Sequence, residues 1–300
     1  MPVAHSFIGD LSDRGPARAH PSRLRTTIAA CLLVLWCLLL PPLLMLLRLL
    51  SRPGALALQQ MFHAGVARLF GLRIAVQGRP RRQGGTLYVA NHASYLDLFV
   101  LGQILDASFV AKAEVANWPV LGILARLQNT LFFERDPRRS REQIDILKGL
   151  LADGHNLILF PEGTSSDGVR VQPFRSTLLA AVTDTPGAAV QAITIAYTRY
   201  DDAPMAPADR DYYAWYLPMT FLPHFLYGMG LRRADVEVHF HQAITQDEIT
   251  DRKTLARTLE GQVREGLSRA LGDAFVATGA AIPESAARRP TTAAPGAARQ

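Results

Sequence analysis

The chain has 300 residues, of which 49% are apolar and 19% charged, and its net charge is +6. That length suits one large domain or two small ones. The positive excess is almost wholly arginine, since Lys112, Lys148 and Lys253 are the only lysines. No zinc-finger spacing, recognition-helix pattern or aromatic RNA-binding signature accompanies it, so nucleic acid is not the partner that this charge implies.

Residues 1–25 are rich in Pro, Ser, Arg and His without an apolar period, and read as a flexible tail. Residues 26–70 read as a membrane anchor followed by an amphipathic helix. Ile28 to Leu50 is a run of 23 residues whose single charge is Arg48, long enough to cross a hydrocarbon core as a helix. Both cysteines, Cys31 and Cys37, lie inside it, as packing residues rather than redox or metal groups. Pro41-Pro42 removes two amide donors, which predicts a kinked span or a re-entrant hairpin, with Ser51-Arg52-Pro53-Gly54 as the next break. A signal peptide cleaved after Ala55-Leu56-Ala57 is the alternative. The run exceeds an ordinary signal core and Arg48 interrupts the approach to that site, so an anchor is the better reading. Arginines flank both ends and suit an anionic cytoplasmic leaflet. The expected location is therefore the cytoplasmic (inner) membrane, with the active site on the cytoplasmic face. In Ala55 to Phe70 the apolar residues Leu58, Met61, Phe62, Val66, Leu69 and Phe70 recur at helical spacing, with Gln59, Gln60, His63 and Arg68 opposite. This helix lies either on the bilayer or against the globular domain.

Residues 71–275 alternate short apolar runs with helical stretches. Strands are expected at Arg73–Gln77, Thr86–Ala90, Ser108–Lys112, Thr130–Phe133, Asn156–Phe160, Val190–Ala196 and Val236–Phe240. Helices are expected from Trp118 to Leu127, Arg139 to Leu151, Phe174 to Val182 and Gln246 to Leu271. The alternation implies an α/β domain, a layered and mostly parallel sheet flanked by helices. Residues 276–300 have little to bury and read as a disordered tail. The aromatic stretch from Trp215 to Leu231 contacts lipid, lines an acyl channel or packs the core. His239 and His241 share a strand face, but no third ligand accompanies them, so no metal site is assigned.

Active sites in open α/β sheets gather at the carboxyl ends of strands. Here those ends carry His92, Glu162 with Gly163 and Thr164, Arg135 and Lys112. His92 followed by Asp97 has the composition of a general base and its orienting carboxylate. Ser94-Tyr95-Leu96-Asp97 is equally an S-x-x-D capping box, in which Asp97 serves a helix terminus.

In order and rough spacing, four segments resemble the blocks of the glycerolipid acyltransferases typified by bacterial 1-acylglycerol-3-phosphate O-acyltransferase. They are Asn91-His92-x-x-x-x-Asp97, Phe133-x-Arg135, Phe160-Pro161-Glu162-Gly163-Thr164 and Val190-Gln191-Ala192-Ile193. The similarity runs from about Leu72 to Tyr197. Its first and third blocks are specific as a pair; the second and fourth are weak alone.

The resemblance implies transfer of an acyl group to the sn-2 hydroxyl of lysophosphatidate, giving phosphatidate. The donor is a thioester of acyl-carrier protein or coenzyme A, serving as co-substrate, and no resident cofactor is implied. His92 would take the hydroxyl proton and Asp97 would fix the imidazole tautomer. No acyl-enzyme is required, and no G-x-S-x-G is present. Backbone amides near Gly163 would hold the oxyanion. Glu162 would orient Arg135 or hold an acceptor hydroxyl, Arg135 and Lys112 would supply positive charge, and Gly163-Thr164 would let the backbone approach the ligand.

Three positions depart from the pattern: Asn129 stands for a glycine, Ser165 for an arginine and Ala192 for a proline. The missing arginine keeps open a related branch that acylates lyso-ornithine lipid, whose head group has no phosphate. A catalytically silent, membrane-bound lipid-binding protein is the alternative of another class, and the intact His92, Asp97 and Glu162 argue against it.

Overall fold

In a computed structural model the described residues are 19–272, without 119, 120, 135 and 217. The tail expected at 276–300, Arg135 and most of the tail expected at 1–25 therefore lie outside them. From Ala19 the chain is already tied down: its amide donates to Asp209 at 2.9 Å, and Ser22 N–H donates to Gly230 at 2.9 Å.

Helix α1 (Arg23–Leu50) runs through Pro41-Pro42, and the chain reverses at Ser51 rather than at the proline pair. Ser51 Oγ caps α2 (Arg52–Leu69) by accepting from Gly54 N–H at 3.2 Å, with proline in the first turn. Trp36 packs on Phe62 and against Gly65, while Leu44 clusters with Leu58, so the two helices form an antiparallel hairpin. Helix α1 has a mean hydropathy of 2.6 over its most apolar window, only 6% of which is buried. It is long and apolar enough to cross a membrane. Helix α2 packs against the globular domain, and its buried face differs from the expected one. His63 is buried and Met61 exposed, because the flank that carries Phe62, His63 and Val66 faces α3 and α1.

The domain then follows as β1 (Leu72–Gln77), β2 (Thr86–Ala90), α3 (Leu96–Gly102), β3 (Ser108–Lys112), α4 (Leu121–Leu127), β4 (Leu131–Phe133), α5 (Ser140–Ala152) and β5 (Leu157–Leu159). It continues through α6 (Ala180–Thr183), β6 (Ala189–Tyr200), β7 (Ala203–Pro204), α7 (Pro207–Arg210), α8 (Phe221–Met229), β8 (Ala234–Thr245) and α9 (Arg252–Leu271). The sheet order is β1-β8-β6-β2-β5-β3-β4, with β7 paired to β6. Among the described residues, only the β6–β8 and β6–β7 pairings are antiparallel. The mostly parallel sheet is thus as expected, and β6, β2, β5, β3 and β4 all end on one edge.

Strand alternation builds the layers. Along β2, Leu87 and Val89 join the core shared with α5 and α9, whereas Tyr88 and Ala90 join the core shared with α2 and α3. A sheet covered on both faces needs such apolar strands, and all five residues of β2 are buried.

Two expected helices are shortened. Phe174 N–H and Arg175 N–H are held by Glu260 at 2.9 Å and Pro161 at 3.0 Å, and the chain enters helix only at Ala180. The last helix does not start at Gln246. A Thr245/Glu248 capping box closes one short turn, and Asp251 caps α9 afresh by accepting from Lys253 and Thr254.

Two departures from the family pattern have backbone explanations. Asn129 has φ +55°, a left-handed conformation that glycine adopts freely and asparagine tolerates. Ala192 sits where the β6–β8 register shifts between Gln191 and Ile193, at a bulge, which is where a strand can accept proline. Asn129→Gly should therefore leave stability within about 0.5 kcal/mol of wild type, while Asn129→Val should cost about 1–2 kcal/mol or more in chemical denaturation.

Candidate active site

Strand β2 delivers Asn91 and His92 to the edge where the parallel strands end. Asn91 continues the ladder with its side chain: Nδ2–H donates to Ile195 carbonyl at 2.9 Å and Oδ1 accepts Ile195 N–H at 2.8 Å. That amide exchange fixes the exit of β2 against β6. The chain then turns through Ala93-Ser94-Tyr95 into α3, whose first turn carries Asp97.

Asp97 is fully buried and receives four donors. His92 Nδ1 lies 2.9 Å from Oδ2, which also accepts Ala93 N–H at 2.8 Å and Ser94 N–H at 2.9 Å. Tyr197 O–H donates to Oδ1 at 2.9 Å. Asp97 is therefore a helix-terminal acceptor and the partner of His92 at once; the two sequence readings describe one carboxylate. Because a carboxylate only accepts, the ring proton belongs on Nδ1, which leaves the Nε2 lone pair outward. The His92 ring is 21% exposed and stacks on Phe160 with centroids 4.2 Å apart.

At the end of β5, the oxygens of Glu162 accept two backbone amides, His92 N–H at 2.8 Å and Gln172 N–H at 2.9 Å. Burial pushes its pKa up to about 8; the two amides pull it down, the Asp97 charge pushes it up and Arg264 pulls it down. Ser166 N–H returns to His92 carbonyl at 2.9 Å, so the loop after β5 is laced to the loop after β2. Gly163 has φ +70° and donates its amide to Phe160 carbonyl at 3.1 Å. The turn needs glycine, and its amide is engaged inside the turn. Thr164 follows, partly exposed. Lys112 ends β3 on the same edge, two strands from β2. Arg135 lies outside the described residues.

Sequence reasoning missed Tyr197. The expected strand stopped at Ala196, whereas β6 continues to Tyr200. The signal was parity: Ile193 pairs with Ala90, and Tyr197, four residues on, shares its sheet face. The aromatic stretch after Trp215 packs the core, with Phe221, Phe225 and Trp215 around Tyr95. Of its large apolar side chains, Leu222 and Leu226 stay exposed, on the helix that packs against α1. His241 bonds Thr194 at 2.8 Å and stacks on His239.

Residues 73–204 match a protein-family model described as Acyltransferase. The chain is 40% identical over 221 residues to the lyso-ornithine lipid O-acyltransferase of Brucella abortus, covering 71% of this chain and 83% of that protein. It is 32% identical to the 1-acyl-sn-glycerol-3-phosphate acyltransferase of Neisseria gonorrhoeae, covering 62% and 70%. In fold it is similar to the crystal structure of the 1-acyl-sn-glycerophosphate acyltransferase of Thermotoga maritima. The TM-score is 0.61 at 20% identity, over 82% of this chain and 94% of that one.

Glu162 supplies a pH-dependent test. Its raised pKa means that its protonated form contributes stability in full below the ordinary value of 4.5, and that this is lost as pH rises through about 8. Glu162→Gln puts an NH₂ against one backbone amide and should cost about 1–3 kcal/mol near pH 5. The gap to wild type should narrow toward pH 8 and above in denaturant titrations, because only wild type has this carboxyl to ionise.

Proposed function

Since the chain belongs to the lysolipid acyltransferase family, we propose that His92 is the general base that activates a lysolipid hydroxyl for attack on an acyl thioester. The observation that carries this reading is the His92–Asp97 pair, with Nδ1 committed to a buried carboxylate and Nε2 turned outward. The hydroxyl proton passes to Nε2 as the oxygen attacks the thioester carbonyl. Asp97 stabilises the imidazolium that results. Collapse of the tetrahedral intermediate expels the thiolate, which takes the proton back, and His92 returns to its starting tautomer. A thioester is activated already, so no covalent enzyme intermediate is needed. Lys112 and Arg135 supply positive charge on the acceptor side, and Gly163-Thr164 form its turn. The donor is an acyl-carrier-protein or coenzyme A thioester.

The acceptor is lyso-ornithine lipid. The sequence alone leans toward lysophosphatidate; the higher identity to a lyso-ornithine lipid O-acyltransferase and Ser165 in place of an arginine shift the reading. Lysophosphatidate remains the second reading, supported by Lys112 at the edge of the sheet and by Arg135 in the sequence. Helix α1 anchors the enzyme in the cytoplasmic membrane, with Leu222 and Leu226 of α8 adding apolar surface beside it.

The test is purified enzyme with one acyl thioester and a panel of lysolipids, with products identified by mass spectrometry. Wild type should acylate lyso-ornithine lipid faster than lysophosphatidate. His92→Ala should lower kcat by about 10²–10⁴ while thermal unfolding stays cooperative. Turnover of lysophosphatidate alone would reverse the acceptor assignment, and an unaffected His92→Ala would remove the base.

A further inference from the structure

The loop from Glu162 to Gln172 begins and ends at one carboxylate. Glu162 holds both His92 N–H and Gln172 N–H, and Ser166 N–H ties the middle of the loop to His92 carbonyl. At Gly168, where φ is +74°, a Cβ would stand 3.3 Å from Ala93 Cβ, so the loop lies directly on the residue after His92. The polar groups of this loop are therefore beside the outward nitrogen's own turn.

Those groups are poorly suited to a phosphate. Ser165 occupies the place of an arginine and is 7% exposed. The next charge along the loop is a carboxylate, Asp167, paired with Arg170 at 2.7 Å; the two side chains are 11% and 21% exposed. A second guanidinium comes from α7. Arg210 donates to Tyr197 carbonyl at 3.0 Å, the same residue whose hydroxyl holds Asp97. Its Nε is buried without a hydrogen-bond partner among the described residues. Burial draws Arg210 below its ordinary pKa and the charge of Asp167 opposes this, which places Asp167 within electrostatic reach of both guanidiniums. A phosphate monoester brought here would meet a carboxylate, and two like charges about 4 Å apart repel by about 4 kcal/mol at an effective dielectric constant of 20. An amino-acid head group carries one ammonium and one carboxylate, which one acid and two guanidiniums match.

We propose that Asp167, with Arg170 and Arg210, selects the acceptor head group: Asp167 takes the ammonium of a zwitterionic amino-acid lipid, the guanidiniums take its carboxylate, and Asp167 repels a phosphate monoester. The proposal rests on the acyltransferase reading and on the acceptor named above.

Three acceptors measured with wild type and Asp167→Asn test it: lyso-ornithine lipid, the same lipid N-acetylated on its side-chain amine, and lysophosphatidate. Asparagine keeps the oxygen that accepts Val169 N–H, so the local turn is retained. In wild type, acetylation should lower kcat/KM roughly tenfold or more, the worth of one charge-assisted hydrogen bond. Asp167→Asn should lose a similar factor on lyso-ornithine lipid alone. It should treat the acetylated and free amines alike, keep the KM for the acyl donor, and hold or raise its rate on lysophosphatidate. Equal loss on all three acceptors would show that the ion pair only locks the loop and would overturn the proposal. So would a wild type indifferent to acetylation, a result that does not depend on how the variant folds. A wild type that ignores lyso-ornithine lipid altogether would instead remove the acceptor reading beneath it.

Discussion

A carboxylate removed from water must be surrounded by donors, because the desolvation penalty in proteins is several kcal/mol per ion. Asp97 is fully buried and has four: two amides of its own loop, the imidazole of His92 and the hydroxyl of Tyr197. Hydrogen bonds to a charged acceptor are each worth about 1.5–3 kcal/mol, so this set can offset the burial. The same four bonds lock together the end of β2, the start of α3 and the far half of β6. A substitution at Asp97 would therefore act on the fold and the chemistry together. One carboxylate serves both the loop amides and the imidazole because the amides of Ala93 and Ser94 and the ring of the preceding residue, His92, point to the same space.

A second buried carboxylate completes the frame. Glu162 grips the backbone of His92, where Asp97 grips the ring, and between them they fix the position and rotation of the imidazole. Burial raises the pKa of Glu162 to about 8, so near neutrality the two sites need not both be charged. The parallel strands bring these groups together, since β2, β5 and β6 are neighbours and end on one edge. The antiparallel β8 lies beyond β6, with β1 outside it, and neither adds to that edge.

Much of this was legible in the sequence. Strands buried on both faces read as apolar runs, so every expected strand is present, and their shared edge predicted that His92, Glu162 and Lys112 would lie together. What could not be read depended on contacts between distant segments. Tyr197 reaches Asp97 only because β6 outruns β2, and a strand's length is set by its partner β8 rather than by its own residues. The two amides that Glu162 accepts become visible only when two loops meet. The buried face of α2 was rotated because the hairpin with α1 presents a second apolar surface that a single helical period cannot anticipate.

The exposed apolar side follows from the same packing. Helix α1 keeps its outward leucines exposed, and α8 adds Leu222 and Leu226 while its inner aromatics surround Tyr95 in the loop between His92 and Asp97. The helices that carry this exposed apolar surface and the loop from His92 to Asp97 are thus neighbours in one apolar cluster. The central claim is that Asp97 holds the His92 proton on Nδ1 and leaves Nε2 as the base. Nitrogen NMR of histidine-labelled enzyme at neutral pH reads this directly. The expected result is an Nδ1–H, Nε2-unprotonated tautomer for His92 that is lost in Asp97→Asn; an Nε2–H tautomer in the wild-type enzyme would contradict the account.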